Sequence, residues 1–227
     1  MKKFLIYITL FVCLLSFSTV FAETLNETTV VVNGNATIEL NPDIAILYVD
    51  IITENKEAKI AQSENASKTN QLLEALVSFK LQNDAIKTHQ FNIEPVYDAN
   101  YQHIQNYRVH TTLEICIDDL TQLGKIIDIA LQNGANANMN IVYKSNQEAQ
   151  AYEKALGAAY ENAYLKAQAL SASLHPSSIN ILKIEENGTH MNYANAKAAL
   201  DYESTSTIQP NKVSVSANIT VHFAIQK

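Results

Sequence analysis

Two-residue alternation near both ends of the chain is the feature that most limits what it can fold into. Val30, Val32, Gly34, Ala36, Ile38 and Leu40 alternate with polar residues, and Val213, Val215, Ala217, Ile219, Val221, Phe223 and Ile225 do the same. Successive side chains of a strand point to opposite faces, so each segment reads as a strand with one buried face. After the turn residues Asn41-Pro42-Asp43 the pattern changes. From Ile44 to Thr53, Ala45, Leu47, Val49 and Ile51 occupy one face and Ile44, Ile46, Tyr48 and Ile52 the other. A strand apolar on both sides is either central with both faces covered, or presents one face to another subunit.

Helical spacing separates these strands. Glu54 to about Leu81 holds no Pro or Gly and repeats Ala58, Ala61, Thr69, Leu72, Leu76 and Phe79 at intervals of three, four or their multiples, the stripe of an amphipathic helix. Ala85 to Tyr97 and Tyr107 to Asp118 read as a hairpin with a long, Tyr-rich tip. Asp118 or Asp119 caps a short helix to about Gln132, where Asn133-Gly134 supplies a left-handed stop. A short strand follows over 138–144. The longest helix runs from about Gln147 to Leu174, is rich in Ala, and ends before Pro176. Its small side chains permit close approach to a sheet. A strand over 178–186 precedes a polar loop over 187–211, whose 25 residues exceed the ~12–15 usual in a compact fold. Such a loop binds something, contacts a subunit or is a mobile insert. The order β-β-α-β-β-α-β-α-β-β predicts an α+β fold, a mainly antiparallel sheet with two long helices and one short helix packed on it.

The N-terminus carries an address. Met1-Lys2-Lys3 is a short basic region, Phe4 to Leu15 is apolar apart from Thr9, and Val20-Phe21-Ala22 places suitable residues for cleavage between Ala22 and Glu23. The expected organisation is a signal peptide over 1–22, a linker over 23–29 and one domain over 30–227. An uncleaved anchor is the alternative, since 4–22 nearly reaches the roughly 20 residues of a membrane span. Cleavage removes two lysines and no acid, moving the net charge from −7 to −9. That balance argues against nucleic acid as a partner. It also leaves Cys116 as the sole thiol, so no intramolecular disulfide can form and the core must hold the fold.

No reaction is identified by the residues. Cys116 and His110 share a strand face but lie six residues apart, roughly 20 Å at the rise of a strand, too far for a nucleophile and its base; His89 on the facing arm comes nearer only if register allows. The six histidines form neither helical i,i+4 pairs nor any short-range cluster with carboxylates along the sequence that would suggest metal ligation. Nucleophile-elbow, Walker and dinucleotide glycine patterns are absent. No catalytic, cofactor-binding or metal-binding residue is therefore assigned, and no cofactor is expected. Asn-x-Ser/Thr triplets at Asn26, Asn35, Asn65, Asn187 and Asn218 are what this Asn content yields by chance.

Ordered motifs nevertheless resemble a known family. Val32-Asn33-Gly34-Asn35-Ala36 with Asn41-Pro42-Asp43, the strand from Ile86 ending in Pro95-Val96-Tyr97, the next entered at Tyr107-Arg108-Val109, then Asp118-Asp119-Leu120 and Asn133-Gly134-Ala135, together resemble the SIMPL domain (DUF541) proteins. The resemblance marks Gly34, Pro42, Asp43, Pro95, Tyr97 and Tyr107 as structural signature positions. It departs at Ala36 and Pro210-Asn211, where the family commonly has glycine. It implies an exported α+β protein of bacterial periplasmic immunogenic or oxidative-stress-defence type, without established catalytic residues, some members of which assemble into large oligomers. The expectation is a homo-oligomer, periplasmic or associated with the outer membrane and envelope. The alternative is a monomeric binding module using its hairpin tip, with Tyr97, Tyr101, His103 and Tyr107, or its late loop.

Overall fold

The computed structural model describes residues 28–192, 195–197 and 212–226. The expected signal peptide, its Ala22–Glu23 cleavage point and most of the late loop lie outside the described residues.

Among the described residues, eight strands and three helices follow the expected order with one short strand added. They are β1 (Thr28–Leu40), β2 (Ile44–Asn55), α1 (Ala58–Ser78), β3 (Ile86–Tyr97), β4 (Ile104–Ile117), α2 (Leu123–Gln132), β5 (Met139–Lys144), α3 (Glu148–Ser171), β6 (Ser178–Asn192), β7 (Asn195–Lys197) and β8 (Val213–Gln226). The strands form two antiparallel sheets, β1-β8-β6 and β3-β4-β2-β5-β7. Two boundaries differ from the pattern-based reading. β1 begins at Thr28, so the linker expected over 23–29 gives its last two residues to the strand. The loop expected from Asn187 instead opens with strand: β6 continues to Asn192 along β8, across a register shift between Glu186 and Thr189, and β7 adds a short rung beside β5. Residues 187–192 carry no apolar alternation to reveal this. Pairing with β8 draws them in, and Gly188, at φ +95°, takes the positive dihedral the irregularity requires.

Each sheet buries one face under helix. Ala45, Leu47, Val49 and Ile51 of β2 pack with Leu113 and Ile115 of β4, Leu72 and Leu76 of α1 and Ile126 of α2. Against the three-stranded sheet, Ala151, Ala155, Ala159, Ala163 and Ala167 of α3 are all buried, facing Val32, Ile219, Val221 and Phe223. An alanine every fourth residue is the spacing of one helix face. Leu40 and Val213, paired at the ends of β1 and β8, reach into the core of the other sheet and link the two layers.

Local chemistry sets the helix ends. Asp119 accepts from the Thr121 backbone N–H at 3.0 Å and caps the turn leading into α2, and Gly134 exits that helix at φ +117°. At the end of α1, Leu81 N–H bonds Leu76 O and Lys80 N–H bonds Val77 O, while Lys80 sits at φ +73°. Such a six-to-one and five-to-two pair of bonds favours glycine at the left-handed position. Lys80→Gly is therefore expected to raise stability by about 0.5–1 kcal/mol, read as a shift in urea midpoint; an unchanged or lower midpoint would contradict the strain.

Candidate functional site

The sheet face opposite α1 and α2 carries the titratable residues in cross-strand rows. Arg108 Nε donates to Glu54 Oε1 at 2.6 Å and reaches Glu94 at 3.4 Å. Two rows further, Asp50 Oδ1 accepts from Thr112 Oγ1 at 2.7 Å and lies 3.1 Å from Nε2 of His110, which stands in the row between. In the fourth row His89 Nδ1 sits 3.3 Å from Glu114, and the Tyr48 ring meets His89 edge-on at 4.9 Å. Burial, reinforced by Glu114, pushes the Tyr48 hydroxyl upward, so it keeps its proton and donates to that carboxylate. This explains why β2 is apolar on two faces: it is central, with helices over one side and half-buried cross-strand contacts on the other.

The arrangement pairs charges across the sheet. Cys116 lies opposite Ile46, while His89, in the register shift between Thr88 and Gln90, turns to Glu114. Among the described residues no three His, Cys, Asp or Glu side chains converge as metal ligands. A cleft of about 470 Å³ lies where α1 ends and α2 begins, with Phe79, Leu81, Ile117 and Ile126 as its apolar wall and Lys80, Asp118 and Asp119 at its rim.

The signature positions prove to be scattered over the fold. Gly34 lies in β1 directly under α3. Pro42 and Asp43 turn the chain from one sheet to the other, where Asp43 N–H bonds Lys144 O at 3.1 Å and Asp43 Oδ1 accepts from Asn146 N–H at 2.8 Å, tying that turn to the start of α3. Pro95 of β3 pairs with Tyr107 of β4; β3 is the edge of its sheet among the described residues, where a missing N–H is tolerated. Tyr97 and Tyr101 stand beside each other at the hairpin tip, rings 6.4 Å apart, with Tyr107 half-buried further down the arm.

Asp98 organises that tip. Its carboxylate accepts from Gln102 N–H at 2.9 Å and Asn100 N–H at 3.2 Å and pairs with His103 at 3.2 Å. The Gln102 bond foremost, with His103 adding, holds the Asp98 carboxyl below its ordinary value. A depressed folded value contributes stability above the ordinary carboxylate range, lost as pH falls through the folded value. The Gln102 amide resonance should therefore stay at its folded position down through about pH 4 and move only below it; movement already under way well above pH ~4 would contradict the lowered Asp98 carboxyl.

Pattern reading missed two features. Tyr143 is buried with a hydroxyl that finds no partner among the described residues, and burial pushes its pKa up. Tyr143→Phe should leave stability unchanged or raise it by about 1 kcal/mol; a loss above that in thermal unfolding would reveal a hidden partner. The second is on β6. Because α3 lies over β1 and β8, Ile181, Leu182 and Ile184 remain 48%, 53% and 50% exposed. Alternation alone could not show that the helix meets this strand only at Ile179, packed beside the alanine row, and at Glu186, which accepts from Tyr152 Oη, leaving the stretch between them open.

With this geometry in view, comparison with known proteins gives a class. The family model SIMPL, described as a protein of unknown function (DUF541), matches residues 30–223; the chain belongs to the SIMPL family. It is 26% identical over 164 residues to a 26 kDa periplasmic immunogenic protein of Brucella melitensis, covering 69% of this chain and 66% of that protein. It is 27% identical over 150 residues to the uncharacterized protein YggE of Escherichia coli K12, covering 64% of this chain and 60% of that one. The matched region thus spans less than two thirds of either relative.

Proposed function

We propose that this chain is an exported, non-enzymatic periplasmic protein that acts by self-association and supports envelope or oxidative-stress tolerance. Export is supported by the basic-then-apolar N-terminus and by the periplasmic location in the name of the Brucella relative. Self-association is carried by one observation, the half-exposed Ile181, Leu182 and Ile184 on the stretch of β6 that α3 leaves uncovered. Apolar side chains grouped in this way mark association surfaces. The stress role follows from the family resemblance, and an outer-membrane association would place the assembly at the envelope. Lysine-reactive cross-linking in intact cells should yield multiples of the processed chain in the fraction released by osmotic shock, with Glu23 at its N-terminus. A monomer band alone, or an unprocessed chain held in the inner membrane, would contradict the reading.

A second reading is favoured by the hairpin tip. Tyr101 is 83% exposed beside Tyr97 on an arm that β2 does not flank beyond Tyr107, a surface suited to a ligand or envelope partner. In this reading the chain is a monomeric binding module, and Tyr97→Ala with Tyr101→Ala would abolish capture of such a partner while leaving the circular dichroism unchanged; unchanged capture would exclude the tip.

A further inference from the structure

β6 is the edge of its sheet among the described residues, with β8 on one side and no strand on the other. Its pairing with β8 runs in three regular stretches of four residues, 178–181, 183–186 and 189–192, separated by register shifts at Ile181/Lys183 and Glu186/Thr189. Of these, the middle one, Lys183-Ile184-Glu185-Glu186, is the stretch that carries both a basic and acidic side chains. Within it Lys183 and Glu185 lie opposite His222 and Thr220, on the face away from α3, while Ile184 and Glu186 lie opposite Val221 and Ile219, on the α3 face. Lys183 and Glu185 are both well exposed and at present pair with each other along the strand at 2.6 Å.

We propose that β6 joins a second copy of this chain, the two strands running antiparallel about a two-fold axis through Ile184. The proposal rests on the self-association reading and names its contact. A free strand edge is a template for another strand, and a two-fold contact places the same segment on both sides. Charge selects the register. With Ile184 opposite Ile184, each Lys183 faces the Glu185 of the other copy. Sliding by one residue sets outward-facing positions of one copy against α3-side positions of the other, because a one-residue slip exchanges faces. Sliding by two sets Lys183 opposite Lys183 or Glu185 opposite Glu185, which is unfavourable for directly opposed like charges. Among these slips, only the centred register satisfies both face and charge. It fuses the two three-stranded sheets into one and sets the uncovered Ile181 and Ile184 of both copies side by side between their α3 helices.

The test uses charge exchange in the processed, exported protein. Lys183→Glu should leave only carboxylates across the axis and Glu185→Lys only ammonium groups, so each variant should associate at least about ten-fold more weakly than the unaltered chain, with unchanged circular dichroism. Mixing the two variants should yield a one-to-one heterodimer in native mass spectrometry, and K183E with E185K in one chain should restore self-association. Single variants that associate as tightly as the unaltered chain would overturn the β6 contact while leaving self-association in place. An unaltered chain that stays monomeric would instead remove the self-association reading itself.

Discussion

Gly34→Ala is expected to destabilise the protein by about 3 kcal/mol or more, the upper range for forcing atoms into a filled core. An ideal Cβ at this position would stand 2.0 Å from Ala159 O and 2.9 Å from the Ala163 side chain. The first of these is helix backbone, which cannot rotate aside. Relief requires α3 to lift from β1, and that lift would loosen the row of buried alanines and the Lys166 bond to Asn33 O. Gly157, on the exposed side of the same helix, is the control: nothing lies within 4 Å of the point where its Cβ would stand, and Gly157→Ala should stabilise by about 0.5–1 kcal/mol. Chemical denaturation of both variants reads the difference. Gly34→Ala unfolding like the unaltered chain would mean that α3 is not seated on β1 as described.

Asn65→Leu is expected to cost about 2–4 kcal/mol although it exchanges a polar core residue for an apolar one of similar size. Asn65 is 1% exposed on α1. Its Nδ2 donates to Ile51 O at 2.9 Å and Val109 O at 3.2 Å, and its Oδ1 accepts from Thr111 Oγ1 at 2.6 Å. One amide thus joins α1 to β2 and β4, and its removal strands a hydroxyl and two carbonyl contacts in the core. Thr111→Val removes only one of the three bonds and should cost less. Because the two residues share a bond, the double variant should cost less than the sum of the single ones. Additive losses in thermal unfolding would show that the network does not act as a unit.

Local chemistry made much of the fold legible. Alternation marked β1, β2, β4 and β8, Asn133-Gly134 marked the end of α2, and Asp119 its capped approach. What pattern could not supply depends on pieces far apart in the chain. Thr28 pairs with Ile225, so the division into two sheets rests on contacts no local window contains. The stripe of α1 skips from Ala61 to Thr69, and the position between is Asn65, a buried residue whose polarity hid it from an apolar count. Gly34 stood out through family resemblance, but its physical reason, the α3 backbone at the Ala159 carbonyl, lies far downstream in the chain.

 The candidate interaction surface was illegible for the same reason: Ile181 and Ile184 look like core until α3 is seen to leave this stretch of β6 open.

The central claim is that this SIMPL chain acts as an assembly. Its most direct test is the mass of the processed, exported protein by light scattering across micromolar concentrations. The account predicts a species of several chains that shifts toward smaller mass on dilution. A single monomeric mass throughout the range would contradict it.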